Sequence, residues 1–176
     1  MEFSGKKVTV VGTGISGIGA VGLLNAVGAE VVLYDGNEKL KIEDIEKKLG
    51  TYKAEIVLGE LTKELTDSSD LLVISPGVPI DSPVVKAFEA AGVPVWGEVE
   101  LAYAFDKGKV LAITGTNGKT TTTALVGQIV GAYHKDTFVV GNIGNPYTTE
   151  VLKSNKDSYT VAEISSFQLE TIENFH

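Results

Sequence analysis

Short runs of β-branched and other apolar residues recur along the chain, separated by stretches in which apolar positions return every three or four residues. The runs Val8 to Val11, Val31 to Tyr34, Leu71 to Ile74, Val93 to Val95, Val110 to Thr114, Phe138 to Val140 and Tyr159 to Ile164 are continuous rather than alternating. Runs of this kind fit strands buried on both faces, as in a parallel sheet covered by helices. Ile18 to Val27, Glu38 to Leu49, Ser82 to Ala91 and Thr120 to Val130 read as helices, with Gly28, Gly50 and Gly92 as C-terminal stops. Strand and helix alternate, so the expected fold class is α/β, with a Rossmann-like parallel sheet first and the start of a P-loop-type α/β unit after it.

The stretch "GVPVWGEVELAYAFDKGK" closes the first series of βα units, and we divide the chain into residues 1–95 and 96–176. A second α/β domain beginning near residue 108 would have only about half the residues such a domain normally needs. The expectation is therefore an N-terminal fragment of a longer protein.

Composition narrows the function classes. A net charge of −8, with no Lys/Arg cluster larger than pairs such as Lys47-Lys48, argues against a nucleic-acid partner. The absence of cysteine excludes thiolate metal sites and disulfides. The chain reaches its first strand without a leader, and no apolar run approaches the roughly 20 residues of a membrane span, so a cytoplasmic protein is expected. Any bound anion must be held by local backbone geometry.

Two glycine loops are built for that. The second, "ITGTNGKTTTTALVG", places Gly115, Thr116, Asn117, Gly118, Lys119, Thr120 and Thr121 between an apolar strand and a helix. Backbone N–H groups and a helix N-terminus there converge on one point, where oligophosphate charge is stabilised. Lys119 supplies a positive charge for the β/γ-phosphates, and the Thr120 hydroxyl is placed to ligate Mg²⁺. The match to G-x-x-x-x-G-K-[ST] is incomplete, because Ile113 stands where the first glycine belongs. An ordinary strand-to-helix turn with a solvated lysine is the alternative.

The first loop, Gly12-x-Gly14-x-x-Gly17, follows the strand "KVTVV", and Asp35 ends the next strand. This is the dinucleotide fingerprint, glycines for the tight turn and an acid for a ribose hydroxyl. Alone it argues for NAD, yet the same geometry binds any pyrophosphate, including that of a nucleotide sugar. Glycines needed only for helix–strand packing are the third reading.

Further signals sit at other strand ends. "SPGVP", from Ser75 to Pro79, and "GNIGNP", which offers Asn142, both follow apolar strands, where ligands bind in open α/β sheets; both also read as plain turns. Glu163 in "VAEISSFQLE" ends a run expected beside the strand of the second loop. A buried carboxylate needs a partner or a metal, and this one is placed to complete the Mg²⁺ shell that Thr120 begins.

Taken together, "TGTNGKTTT", "GISG", "ISPGVP", "GNIGNP" and "EISSFQLE" resemble the Mur ligases, ATP-dependent amide-forming enzymes of bacterial peptidoglycan synthesis. The resemblance covers the whole chain, and "SSFQLE" points to the member that adds D-glutamate to UDP-N-acetylmuramoyl-L-alanine. It implies ATP on Gly115 to Thr121, with Lys119 and Glu163 catalytic and Thr120 and Glu163 holding Mg²⁺. It implies the UDP-substrate on the first loop, with Ile15 and Ser16 at the diphosphate and Asp35 and Gly36 on the uridine side. Ser75, Gly77 and Asn142 would extend that site, and Ser165 and Gln168 would face the muramoyl-alanine portion. D-glutamate would bind on a C-terminal domain beyond these residues, so the chain alone is expected to be inactive, and a monomer. A different amide ligase, of the Mur or folylpolyglutamate synthase type, and an NAD-binding module remain the alternatives.

Overall fold

A computed structural model describes residues 2–176. The chain folds into two parallel sheets. The first contains β1 (Lys7–Val11), β2 (Glu30–Asp35), β3 (Glu55–Leu58), β4 (Leu71–Ile74) and β5 (Val95–Gly97), in the order β3-β2-β1-β4-β5. Its connections carry α1 (Ile15–Ala26), α2 (Ile42–Leu49), α3 (Lys63–Ser68) and α4 (Pro83–Ala90). In register, Val10 faces Leu33 on one side and Val73 on the other.

The continuous apolar runs are explained by burial on both faces. Val8, Val10, Leu33, Leu71 and Val73 pack with Leu23 and Leu24 of α1. Their neighbours Val11, Val32, Tyr34, Leu72 and Ile74 pack with Val85 and Phe88 of α4. Side chains alternate between the faces of a strand, so a strand covered twice must be apolar at every position. Burying side chains of this size stabilises by about 1.5–3 kcal/mol each.

The helix α5 (Glu98–Tyr103) links the first sheet to β6 (Lys109–Ile113). It is followed by α6 (Lys119–Tyr133), β7 (Thr137–Gly141), α7 (Tyr147–Glu150) with a 3-10 turn (Val151–Lys153), β8 (Tyr159–Glu163) and α8 (Ser166–Leu169). The second sheet runs β6-β8-β7, also parallel. Val99, Leu101 and Ala102 of α5 join Val140, Tyr147, Val151, Ala162 and Ile164 to the core of the first sheet, so one apolar cluster runs through both sheets.

Three sequence expectations are corrected. The strand read at Val93 to Val95 lies at Val95–Gly97, because Pro94 has no N–H to give and only its carbonyl enters the ladder, accepting from Leu72 N. The helix read from Glu38 begins at Ile42, where the apolar face of Ile45 and Leu49 starts. The run at Val110 to Thr114 is not buried on both faces: β6 is an edge strand bonded to β8 alone, and Leu111 stays 38% exposed. Leu125, Ile129 and Tyr133 of α6 are exposed as well. The elements β3, α3, α5, α7 and α8 were not legible as such in the sequence pattern.

Candidate functional site

The order β3-β2-β1-β4-β5 reverses direction between β1 and β4, and in open α/β sheets ligands bind at that switch point, beyond the carboxyl ends of the strands. The two loops that flank it are Gly12 to Gly17 and Ser75 to Pro79. Gly12 takes a left-handed φ of 104°, turning the chain sharply off β1. Gly17 lies against Gly12 so tightly that a methyl group there would overlap the Gly12 carbonyl oxygen. The cap of α1 is Gly14, with no side chain to occupy the first-turn N–H groups, which leaves them for an anion. Ile15, the first helical residue, is 79% exposed at the mouth of the cleft, an unusual place for a large apolar side chain.

Asp35 is engaged inside the protein. Its Oδ2 accepts from Thr13 N at 3.3 Å and Thr13 Oγ1 at 3.0 Å, and its Oδ1 accepts from Asn37 N at 3.1 Å. The end of β2, with Gly36 next to it, is thereby tied to the glycine loop. Lys48 Nζ reaches the Thr13 carbonyl at 3.4 Å from the other side. The Ser75 hydroxyl is buried without a hydrogen-bond partner and points at the loop: a methyl group on Gly12 would lie 2.8 Å from it.

Between the sheets lies a cleft of about 530 Å³ that brings together Ile15, Ser16, Ser75, Gly77, Asn142 and Gln168. Six residues named from the sequence thus line one cavity, although they come from four separate segments. Ser165 is instead turned into the cap of α8. Its Oγ accepts from Gln168 N at 3.3 Å, while Gln168 Oε1 accepts from Ser165 N at 2.9 Å and Ser165 Oγ at 3.0 Å, a reciprocal capping box.

The second loop stands at the end of β6. Gly115 and Gly118 have φ of 139° and 77°, and α6 starts at Lys119 with no side-chain cap. Lys119 Nζ bonds the Gly115 carbonyl at 2.7 Å, so the lysine curls over its own loop. Thr116, Asn117, Thr120 and Thr121 are exposed.

Glu163 ends β8 in register with Ile113 of β6 and Gly141 of β7, between the two loops that follow those strands. It is 4% exposed, and its Oε2 has no hydrogen-bond partner. A buried carboxylate oxygen without a donor is costly and fits a cation brought in with a ligand. Among the described residues no group of three or more acids and histidines forms a complete metal cluster. Thr120 and Glu163 would leave most positions to phosphate and water, which suits Mg²⁺. The Gly115 to Thr121 loop does not line this cleft; Asn142, in the cleft, donates its N–H to the Glu163 carbonyl at 3.1 Å.

Two site residues escaped the sequence reading. Glu98 lines the cleft and accepts from Thr148 N at 3.1 Å and Thr148 Oγ1 at 3.0 Å. Burial pushes its carboxyl above the usual carboxylate range, against the lowering effect of the Thr148 and Tyr147 donors. Glu100, fully buried, accepts four hydrogen bonds from residues 173–175. Burial pushes it up, but those donors prevail and hold it below the ordinary value. The available signal was two acids spaced by one residue in the otherwise apolar "VWGEVELAYA".

A glycine-looped parallel sheet joined to a second sheet with a Gly-Lys-Thr phosphate loop defines the class: the chain belongs to the Mur ligase family. Residues 6–97 match the Mur ligase MurD-like N-terminal domain, and residues 113–175 match the Mur ligase middle domain. A UDP-N-acetylmuramoylalanine–D-glutamate ligase of Lachnospira eligens is 69% identical over 176 residues, covering 100% of this chain and 39% of the relative. The ligase of the same name from Lachnoclostridium phytofermentans is 58% identical, with 99% of this chain and 39% of the relative covered. The chain thus spans about two fifths of the length of these relatives. Among solved structures, the UDP-N-acetylmuramate:L-alanyl-gamma-D-glutamyl-meso-diaminopimelate ligase of Neisseria meningitides shares the fold, with a TM-score of 0.54 at 20% identity over 91% of this chain and 52% of that one. A murein peptide ligase of Psychrobacter arcticus gives 0.54 at 20% identity, over 93% of this chain and 39% of that one.

Proposed function

We propose that the chain is the substrate- and nucleotide-binding part of an enzyme that adds D-glutamate to UDP-N-acetylmuramoyl-L-alanine in peptidoglycan biosynthesis. The activity is proposed for a protein of the relatives' full length, and ligand binding for the chain itself. The observation that carries the reading is the convergence of Ile15, Ser16, Ser75, Gly77, Asn142 and Gln168 on one cleft, in which Asn142 donates its N–H to the backbone carbonyl of Glu163, the residue in register with Ile113 ahead of the second loop. One substrate can then extend from the first glycine loop to a reacting group at the second.

In this reading residues 1–95 form the UDP-substrate domain and residues 96–176 belong to the ATP-binding domain. The first-turn N–H groups of α1, with Ile15 and Ser16, receive the diphosphate, and Ser75, Gly77 and Asn142 continue the site. Asp35 and Gly36 stand on the uridine side, and the two bonds that Asp35 Oδ2 accepts from Thr13 support a role in holding the loop for that ligand. Gln168, with Ser165 fixing its side chain, faces the muramoyl-alanine portion. D-glutamate is assigned to residues beyond this chain.

When bound, ATP would supply the phosphoryl group that activates the alanine carboxylate, with ADP leaving, and the D-glutamate amine would then displace inorganic phosphate to form the amide. The chain's own residues position and neutralise charge, the main task in phosphoryl transfer. Gly115 to Thr121 offer backbone N–H groups to the phosphates. Lys119 exchanges its Gly115 contact for phosphate oxygens, and Thr120 with Glu163 holds Mg²⁺. In this reading the full-length enzyme is a monomer of the cytoplasm with no nucleic-acid or membrane partner; among the described residues no helix is long and apolar enough to cross a membrane.

Thermal unfolding with UDP-N-acetylmuramoyl-L-alanine, NAD or Mg·ATP tests the reading, because a ligand of the native state at about 100 times its Kd adds about 2.7 kcal/mol. Stabilisation by the uridine compound and by Mg·ATP, with none from NAD, is expected. Stabilisation by NAD alone would overturn the proposal and make the first loop a dinucleotide site.

A further inference from the structure

One apolar cluster runs through both sheets, and since hydrophobic packing is non-directional, the angle between the sheets is left to directional contacts. Here the connection itself supplies them. The helix α5, which packs against both sheets, places two buried carboxylates two residues apart, and each accepts hydrogen bonds from a segment tens of residues further along the chain. Glu98 takes Thr148 N and Thr148 Oγ1, both on its Oε1, at the start of α7. Glu100 divides its acceptors: Oε1 takes Asn174 N at 2.9 Å and Asn174 Nδ2 at 3.0 Å, and Oε2 takes Glu173 N at 3.0 Å and Phe175 N at 3.1 Å. No lysine or arginine is among these partners, so neither acid is half of an ion pair. Glu98 accepts from the N–H of Thr148 and Glu100 from that of Phe175, both buried residues, and a buried N–H left without a partner is a condition folded proteins rarely tolerate.

Each docked segment adjoins one that lines the cleft, and Glu98 lines it directly. Residue 148 follows directly on the "GNIGNP" loop that carries Asn142, and residues 173–175 follow α8, which carries Gln168. We infer that Glu98 and Glu100 are positioning residues: through α5 they clamp the two walls of the second sheet against the first and so set the width of the substrate cleft before ligand arrives. The clamp works by hydrogen-bond geometry rather than by charge. This separates the two acids. Glutamine at 98 keeps one oxygen, enough for both Thr148 bonds. Glutamine at 100 must turn an NH₂ group toward N–H donors, because both carboxylate oxygens are occupied.

The proposal deepens the functional reading above and rests on it only for the identity of the cleft ligand. Its test does not. The sequence has no cysteine, so spin labels at Glu64→Cys on α3 and Gln128→Cys on α6 go only where they are placed. Without ligand, the parent and Glu98→Gln should give one narrow inter-label distance, and Glu98→Ala, Glu100→Ala and Glu100→Gln a broad one. Amides at 148 and 173–175 should exchange about tenfold faster in the matching alanine variants, while those of β1, β2 and β4 stay protected. Affinity for UDP-N-acetylmuramoyl-L-alanine should fall about tenfold, within the usual range of coupling between linked equilibria. Should Glu100→Ala fail to fold, Asn174→Ala and Thr148→Val each delete one donor and carry the same measurement. Narrow distances in both alanine variants overturn the clamp, and parent-like behaviour of Glu100→Gln overturns the two-oxygen assignment. Failure of the parent to bind the uridine compound sinks the functional reading alone, since distances and exchange are read without it.

Discussion

Gly141, the last residue of β7, rests on the backbone of Glu163: a methyl group at position 141 would overlap the Glu163 carbonyl oxygen. Its φ of 99° adds a second reason for glycine. The carboxylate proposed to reach the metal is therefore held by a contact that admits no side chain.

Gly141→Ala should accordingly destabilise the second sheet by roughly 2–4 kcal/mol, from backbone strain and overlap together. Urea unfolding should show a lower midpoint with an unchanged slope. An unchanged midpoint would mean that the β7–β8 contact is looser than described.

The three glycines of the first loop should not respond alike. Alanine at Gly17 meets the Gly12 carbonyl and lies 3.3 Å from the Ser75 hydroxyl, whereas alanine at Gly14 meets nothing within 4 Å. Gly17→Ala is expected to cost about 1–3 kcal/mol and Gly14→Ala within about 0.5 kcal/mol of nothing, measured by chemical denaturation. Equal losses would show that the fingerprint acts through backbone freedom and not through close approach.

Glu163→Gln removes a buried charge whose Oε2 finds no donor. Without Mg²⁺ the variant should be as stable as the parent or up to about 2 kcal/mol more stable, because the unpaired carboxylate is costly. With Mg·ATP the parent should gain thermal stability and the variant should not. A variant stabilised by Mg·ATP to the same extent as the parent would remove Glu163 from the metal site.

Glu98 gives a pH dependence of defined sign. Burial raises its carboxyl above the usual range, so between the unfolded and native values the native state binds more protons than the unfolded chain. Its contribution to stability therefore falls as pH rises through that window, and the penalty is complete above the native value. Glu100 behaves oppositely: held below its ordinary value, it stabilises above the unfolded value, and that gain is lost as pH falls through the native one. Glu98→Gln should match the parent in acid and exceed it at neutral pH in denaturant titrations. A deficit at neutral pH would show that the Thr148 bonds need the charge.

Where the pattern was strong, the sequence and the structure agree. The strands of the first sheet announced themselves because both faces are buried, and Val10 and Val11 go to opposite cores yet are both apolar. β3 went unread because three of its four residues, Ile56, Val57 and Leu58, are only partly buried at the edge and Glu55 is polar. The short helices α5 and α7 carry too few residues for a helical period to register. Ile15, Ser16, Ser75, Gly77, Asn142 and Gln168, named from short motifs and the family resemblance they carry, come together on one cleft.

The sequence by itself determined the parallel α/β class and the two glycine loops at strand ends, with Lys119 and Thr120 at the start of α6, because each depends on residues a few positions apart. Only the tertiary structure decided that Asp35 spends Oδ2 on Thr13 of the glycine loop, and that Ser165 closes a helix cap. It alone decided that Glu98 and Glu100 bind residues 148 and 173–175 across the sheets. Those partners lie tens of residues away, and a carboxylate's donors are set by which backbone N–H groups the packed sheets bring within hydrogen-bonding distance of it.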